Sequence, residues 1–196
     1  MNKIIIIILT ISFSINLYGG KYHLSIKGGG AYSGAKLKKD VQENEYFPNY
    51  DFKEIIHLNL GIDIDDNISL NLGIGWNDKG FNLLKVQDSS YINSVVIKNI
   101  ELPIYLDYKV IKNTKIFFGG FLAIPTNIWY IVRGVNPINS GFILGLEYNL
   151  NSFLFDFRIE QGLGKIYSPS NLPGGGSSER YFYSTQIIFM VGYQFF

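Results

Sequence analysis

The feature that most narrows what this chain can become is a two-residue alternation of apolar and polar side chains, resumed segment after segment. Ile56, Leu58, Leu60, Ile62 and Ile64 alternate with His57, Asn59, Gly61 and Asp63. After Asp65-Asp66-Asn67, the residues Ile68, Leu70, Leu72, Ile74 and Trp76 alternate with Ser69, Asn71, Gly73, Gly75 and Asn77. The pattern returns over residues 100–108, 142–148, 153–159 and 183–195. Successive side chains of a strand point to opposite faces, so this period marks strands with one apolar and one polar face. Two segments are less clean. Tyr22, Leu24 and Ile26 alternate with His23, Ser25 and Lys27 before Gly28-Gly29-Gly30 blurs the phase, and residues 115–124 are nearly all apolar, with an ambiguous phase. Eight strands are expected, the smallest number that closes a transmembrane barrel.

The connections alternate in length. Asp65-Asp66-Asn67, the stretch around residues 111–114 and the stretch around 149–152 are short; those around 34–54, 78–94, 126–139 and 165–180 are long. Short turns on one rim and long loops on the other are how outer-membrane barrels are built. The expected fold is therefore an all-β, eight-stranded antiparallel up-and-down transmembrane β-barrel, with short periplasmic turns and long extracellular loops.

Alternation alone also fits a soluble lipocalin-like barrel, which hides its apolar face inside. Composition bears on the choice. Only 17% of the 196 residues are charged, against 47% hydrophobic and 16% aromatic, where soluble domains carry roughly 25% charge. The polar set of the strands is mostly Gly, Ser, Asn and Gln, which suits the interior of a narrow barrel. Trp76, Tyr108, Trp129, Tyr130, Tyr148, Tyr167, Tyr181 and Tyr183 fall near strand ends, where rings form interfacial girdles.

The N-terminus begins with the short positive region Met1-Asn2-Lys3, followed by an apolar run over 4–9 that Ser12, Ser14 and Asn16 later dilute. Residues 1–20 read as a signal peptide cleaved near Gly19 or Gly20, leaving 21–196 as the barrel domain. The alternative is a membrane anchor, but the run is shorter than the roughly 20 apolar residues a spanning helix prefers. Without Lys3, acidic and basic residues balance at 16 each, so no nucleic-acid partner is expected. The absence of Cys excludes disulfides and thiolate chemistry.

Glu101, Asp107, Glu147, Asp156, Arg158 and Glu160 fall on the inward face. Charges withdrawn from water need partners, so Arg158 is expected to bridge carboxylates from other strands, with Glu101 and Glu160 among them. A lumen filled this way leaves no wide channel. No catalytic, cofactor or metal residues are assigned. Gly28-Gly29-Gly30 and Gly174-Gly175-Gly176 lack the Lys-Ser or Lys-Thr of a phosphate loop. His23 and His57 lie on neighbouring strands, but a metal site would need further ligands. No compact His-x-Ser signature of a lipid-modifying barrel is present. Asp40, Glu43, Glu45 and Asp51, beside Lys36, Lys38 and Lys39, enrich the first long connection in charge and read as a solvated loop.

The segment Asn99-Ile-Glu-Leu-Pro-Ile-Tyr-Leu-Asp-Tyr-Lys109 resembles the central strand of the PorT-like outer-membrane β-barrel family, with its hydrophobic-Glu-hydrophobic-Pro-hydrophobic pattern. Leu70-Asn-Leu-Gly-Ile-Gly-Trp-Asn-Asp-Lys-Gly-Phe81 resembles that family's preceding strand, which ends in a Lys-Gly pair. The resemblance implies an eight-stranded barrel in the outer membrane of a Gram-negative, Bacteroidetes-like bacterium, and a location rather than an activity. The terminal Phe195-Phe196 resembles the signal read by the outer-membrane barrel assembly machinery, although Phe195, not Phe196, continues the lipid-facing series. The expected role is a structural or interaction platform acting through its long loops, with outer-membrane lipid around it and an extracellular protein or glycan as partner. Two alternatives stay open: a lipid-modifying barrel enzyme and a soluble periplasmic lipocalin-like binder.

Overall fold

The structure is a computed structural model that describes residues 21–37, 46–85, 91–126, 138–164 and 182–195. The expected signal peptide, residues 1–20, lies outside them, as do Trp129, Tyr130, Tyr167, Tyr181 and Gly174-Gly175-Gly176. The described strands are β1 (Tyr22–Leu37), β2 (Tyr46–Asn49), β3 (Asp51–Asp63), β4 (Ile68–Lys85), β5 (Tyr91–Ile111), β6 (Thr114–Pro125), β7 (Asn139–Leu150), β8 (Phe153–Gly162) and β9 (Phe182–Gln194). β2 and β3 both pair with β4, at its far and near ends, and serve as one stave. Each stave runs antiparallel to its neighbours, and β1 pairs with β9 to close an eight-stranded barrel. Closure pairs every stave on both sides through the band that faces lipid.

The short turns are where the sequence places them. Asp65 accepts the backbone N–H groups of Asn67 and Ile68 at 2.7 and 2.8 Å, a local bond that fixes the β3–β4 turn. Between β7 and β8 a two-residue turn places Asn151 at φ 58°, a left-handed conformation that Asn tolerates better than most residues.

Two of the expected long connections are instead largely strand. β1 continues to Leu37, β2 occupies Tyr46–Asn49, and β4 and β5 continue as a ladder from Asp78↔Lys98 to Leu84↔Tyr91. Past Trp76 the inward Asn77 and Lys79 are still buried, but the outward position between them is Asp78, so the apolar-polar alternation that reveals a strand disappears. Backbone pairing with β5 carries β4 on through residues 77–85, roughly 30 Å along the strand at about 3.3 Å per residue. Residues 127–137 and 165–181 lie outside the described residues.

The outward face is an apolar band with a defined edge. On β4 it comprises Ile68, Leu70, Leu72, Ile74 and Trp76, and on β5 Ile100, Leu102, Ile104, Leu106 and Tyr108. That length matches the roughly 9–11 residues of a transmembrane strand. At the loop side the next outward positions are Glu54, Asp78 and Lys98. At the turn side Tyr108, Tyr148, Phe153, Tyr193 and Phe195 are all exposed, as an interfacial girdle requires. Leu144, at the middle of the band, is 60% exposed. Leu144→Arg is expected to destabilise the barrel in lipid vesicles by about 2–4 kcal/mol, and Glu54→Arg, just past the edge, by about 0–1 kcal/mol. Urea titration followed by Trp emission checks both; equal costs would place the band elsewhere.

Inside, large side chains lie over glycines of the neighbouring strand. An added Cβ on Gly61 would lie 1.9 Å from the His23 ring, on Gly75 1.8 Å from His57, on Gly145 2.3 Å from Phe117 and on Gly141 2.6 Å from Phe121. Small-against-large pairing of this kind fills a narrow lumen without voids. It also settles the phase of β6: Phe117, Phe121 and Ala123 point inward, and Ile116, Phe118, Leu122 and Ile124 outward. The interior is therefore not uniformly polar, as the sequence suggests. One apolar cluster joins Tyr105, Phe117, Phe121, Ala123 and Ile143; another joins Ala31, Ile55, Ile188 and Met190.

Candidate functional site

The inward phase of five staves delivers charged side chains to the lumen, where they form two connected layers. In the layer nearer the turns, Lys27 of β1 donates to Asp156 of β8 at 2.7 Å and to Glu147 of β7. Arg158 Nε donates to Asp156 Oδ1 at 2.9 Å and its Nη2 to Asp156 Oδ2, a two-pronged pair. The Arg158 guanidinium also lies 5.2 Å from the Phe117 ring and 5.5 Å from the Tyr105 ring. In the layer nearer the loops, Lys79 of β4 pairs with Glu101 of β5 at 2.7 Å and Glu160 of β8 at 3.1 Å, while its ammonium stands 3.6 Å over the Phe121 ring. Asn77 donates to Glu101 and to Gln186 of β9, both at 3.0 Å, and Gln186 donates back at 3.2 Å. Arg158 Nη1 and Glu160 Oε1, 3.9 Å apart, join the layers.

All six charged residues singled out in the sequence are buried in the lumen, but their pairing differs from the expectation. Arg158 binds carboxylates of its own strand, Asp156 and Glu160, rather than bridging to others. Glu101 belongs to Lys79. The bridges between strands are made by Lys27 and Lys79. A lysine stem is long and flexible enough to cross the lumen, whereas the Arg158 fork is held by Asp156 two residues away on the same face. Asp107 pairs with Lys115 at 3.3 Å near the turn rim.

The two histidines do not meet. In the β1–β3 register His23 faces Gly61 and His57 faces Lys27. His23 lies 3.7 Å from Asp63, and His57 lies 3.5 Å from Glu101. Among the described residues no three His, Asp or Glu side chains converge as metal ligands. The wall of β3–β5 carries buried polar atoms without a hydrogen bond: both ring nitrogens of His57, the Asn59 amide, Asn71 Nδ2, Tyr105 OH and Asp107 Oδ1. Groups of this kind are normally met by internal water. They lie along one wall at different depths.

Comparison with known proteins fits this architecture. The family described as "outer membrane protein beta-barrel domain" matches residues 12–168. The chain belongs to this family. No curated protein sequence matches it. Among solved structures it is similar to Neisserial surface protein A, at 12% identity over 87% of this chain and 96% of the other, with a TM-score of 0.50. It is also similar to Ail of Yersinia pestis, solved with the heparin analogue sucrose octasulfate, at 14% identity over 89% and 99%, TM-score 0.48. A third is the N-terminal barrel of Pseudomonas aeruginosa OprF, at 13% identity over 90% and 99%, TM-score 0.44. At these identities the first likeness speaks to the fold alone.

As an outer-membrane β-barrel, the protein has lipid against its apolar band, and its charged lumen is the inside of the wall rather than an inverted surface. The sequence reading missed Lys27 and Lys79 as the crossing cations. The signal was present, because each sits two positions beyond an inward polar residue, Ser25 and Asn77, on the same strand face.

Proposed function

We propose that this barrel is a non-catalytic platform that holds its loop-rim segments at the cell surface for interaction with an extracellular protein or glycan. The ion-paired layers across the lumen carry the reading: they stiffen the scaffold and bar a path through its middle among the described residues, so recognition falls to what the scaffold displays. In this reading residues 1–20 are removed on export, the assembly machinery inserts the chain, and the short turns face the periplasm. The strand 99–109 and the Lys79-Gly80 pair support placing it in the PorT-like branch. The long β4–β5 hairpin serves the same end, because it lifts its tip beyond the lipid edge.

Replacing residues 127–137 and 165–181 by short Asn-Gly turns tests the proposal. The variant should still insert and still migrate differently on gels before and after boiling. It should fail to restore whatever cell-surface property a deletion strain has lost. Full restoration by this variant would leave display to the β1–β3 and β4–β5 connections, and full restoration when residues 38–45 and 86–90 are also replaced by short turns would overturn the platform reading.

A further inference from the structure

The turn rim, opposite the displayed loops, opens into a cavity of about 760 Å3, a size typical of small-ligand sites. Its lining is not lipid-facing: His23, Asp63, Lys109 and Lys115 share the inward phase of their strands with Ser25, Asn59, Asp107 and Phe117.

Charge is segregated around this mouth. Asp63, Asp65 and Asp66 occupy the β3–β4 corner, and Lys109, Lys112 and Lys115 the β5–β6 corner beside it. The two hairpins are joined directly, Lys109 N donating to Asn67 O at 2.8 Å, yet their charges do not cancel one another. Asp65 is turned to its own turn backbone, and Asp63 accepts Ser69 Oγ at 2.7 Å. Asp66 meets Lys21 only at 3.6 Å, with both side chains largely in water. Lys115 is engaged by Asp107, whereas Lys109 and Lys112 carry no ion pair among the described residues. A simple anion would find aspartates beside the lysines, and a simple cation the reverse. A ligand bearing both charges satisfies both corners.

We propose that the turn-rim cavity binds a zwitterionic peptide-like ligand, its free amine at the Asp65 and Asp66 corner and its free carboxylate at Lys109 and Lys112. The pairs are solvent-exposed, so affinity is weak and the requirement for both ends is the signature.

Triglycine, N-acetyl-triglycine and triglycine amide, titrated into the folded full barrel in lipid nanodiscs and followed by backbone amide NMR, test this. Triglycine should shift Asn67 and Asn113 saturably, and each capped peptide should bind roughly fivefold more weakly, the loss of about one exposed charge pair. Lys112→Gln should abolish discrimination against the amide and keep that against the acetylated peptide; Asp66→Asn should do the reverse. Lys53→Gln, at the other rim, should change neither. Equal binding of all three peptides, undiminished binding of the acetylated form, or no saturable shift would overturn the proposal.

Discussion

Asp156→Leu is expected to lower the stability of the folded barrel by about 3–5 kcal/mol, the usual cost of removing one member of a buried charge network. Asp156 is fully buried and joins Lys27 to Arg158. Without it, Arg158 keeps only Glu160 at 3.9 Å, and its guanidinium has no route to water. Lys27→Met should cost less, about 1–3 kcal/mol, because Asp156 retains Arg158 and the freed Glu147 lies nearer the turn rim. The double variant Asp156→Leu/Arg158→Met should recover much of the loss, since a buried pair can be replaced by apolar groups of similar volume at small cost. Urea midpoints in vesicles decide the matter. An unchanged midpoint for Asp156→Leu would mean that the charged layers do not hold the lumen together.

Gly119→Val should damage the wall of β6 severely. A Cβ there would lie 2.1 Å from the Ile104 carbonyl oxygen and 2.5 Å from the Tyr105 Cα, so backbone rather than a pliant side chain would have to move. Overpacking typically costs about 1–3 kcal/mol and more where the backbone must shift; the upper end is expected at this position. Gly120→Val is the internal control. It points outward, and its Cβ would approach only Gly141 O, at 3.1 Å, so its effect should stay within about 1 kcal/mol. Urea midpoints of the two variants in vesicles make the comparison. Comparable losses at 119 and 120 would contradict the assignment of faces on β6.

That assignment shows what could and could not be read from the chain. Where the inward set is polar, as in β3, β4 and β8, alternation gives strand, face and register partners together, because lipid and lumen demand opposite chemistries. β6 defeats the same reading because Phe lies on both faces: Phe118 meets lipid, whereas Phe117 and Phe121 fill space left by Gly145 and Gly141. The choice depends on glycines some twenty or more residues away, which only the pairing of β6 with β7 brings close. The outer halves of β4 and β5 were illegible for the opposite reason. Past Trp76 the ladder continues with the polar Asp78 and Lys98 on the outward face beside the buried, polar Asn77 and Lys79, so polarity no longer separates the two faces. In the lumen, the residues that carry charge were legible from phase, but their partners were not. Pairing depends on barrel stagger and side-chain reach, and so Lys27 and Lys79, rather than Arg158, make the crossings.

The most direct test of the central claim, that the apolar face meets lipid and the charged face is enclosed, uses a native probe. Trp76 is one of two tryptophans, sits outward at the loop-side edge of the band, and can be isolated by Trp129→Phe. In vesicles its emission should be quenched strongly by lipids brominated near the headgroup, less by lipids brominated at the chain end, and little by aqueous iodide. Efficient iodide quenching with no effect of brominated lipid would put the apolar face elsewhere and contradict the membrane barrel.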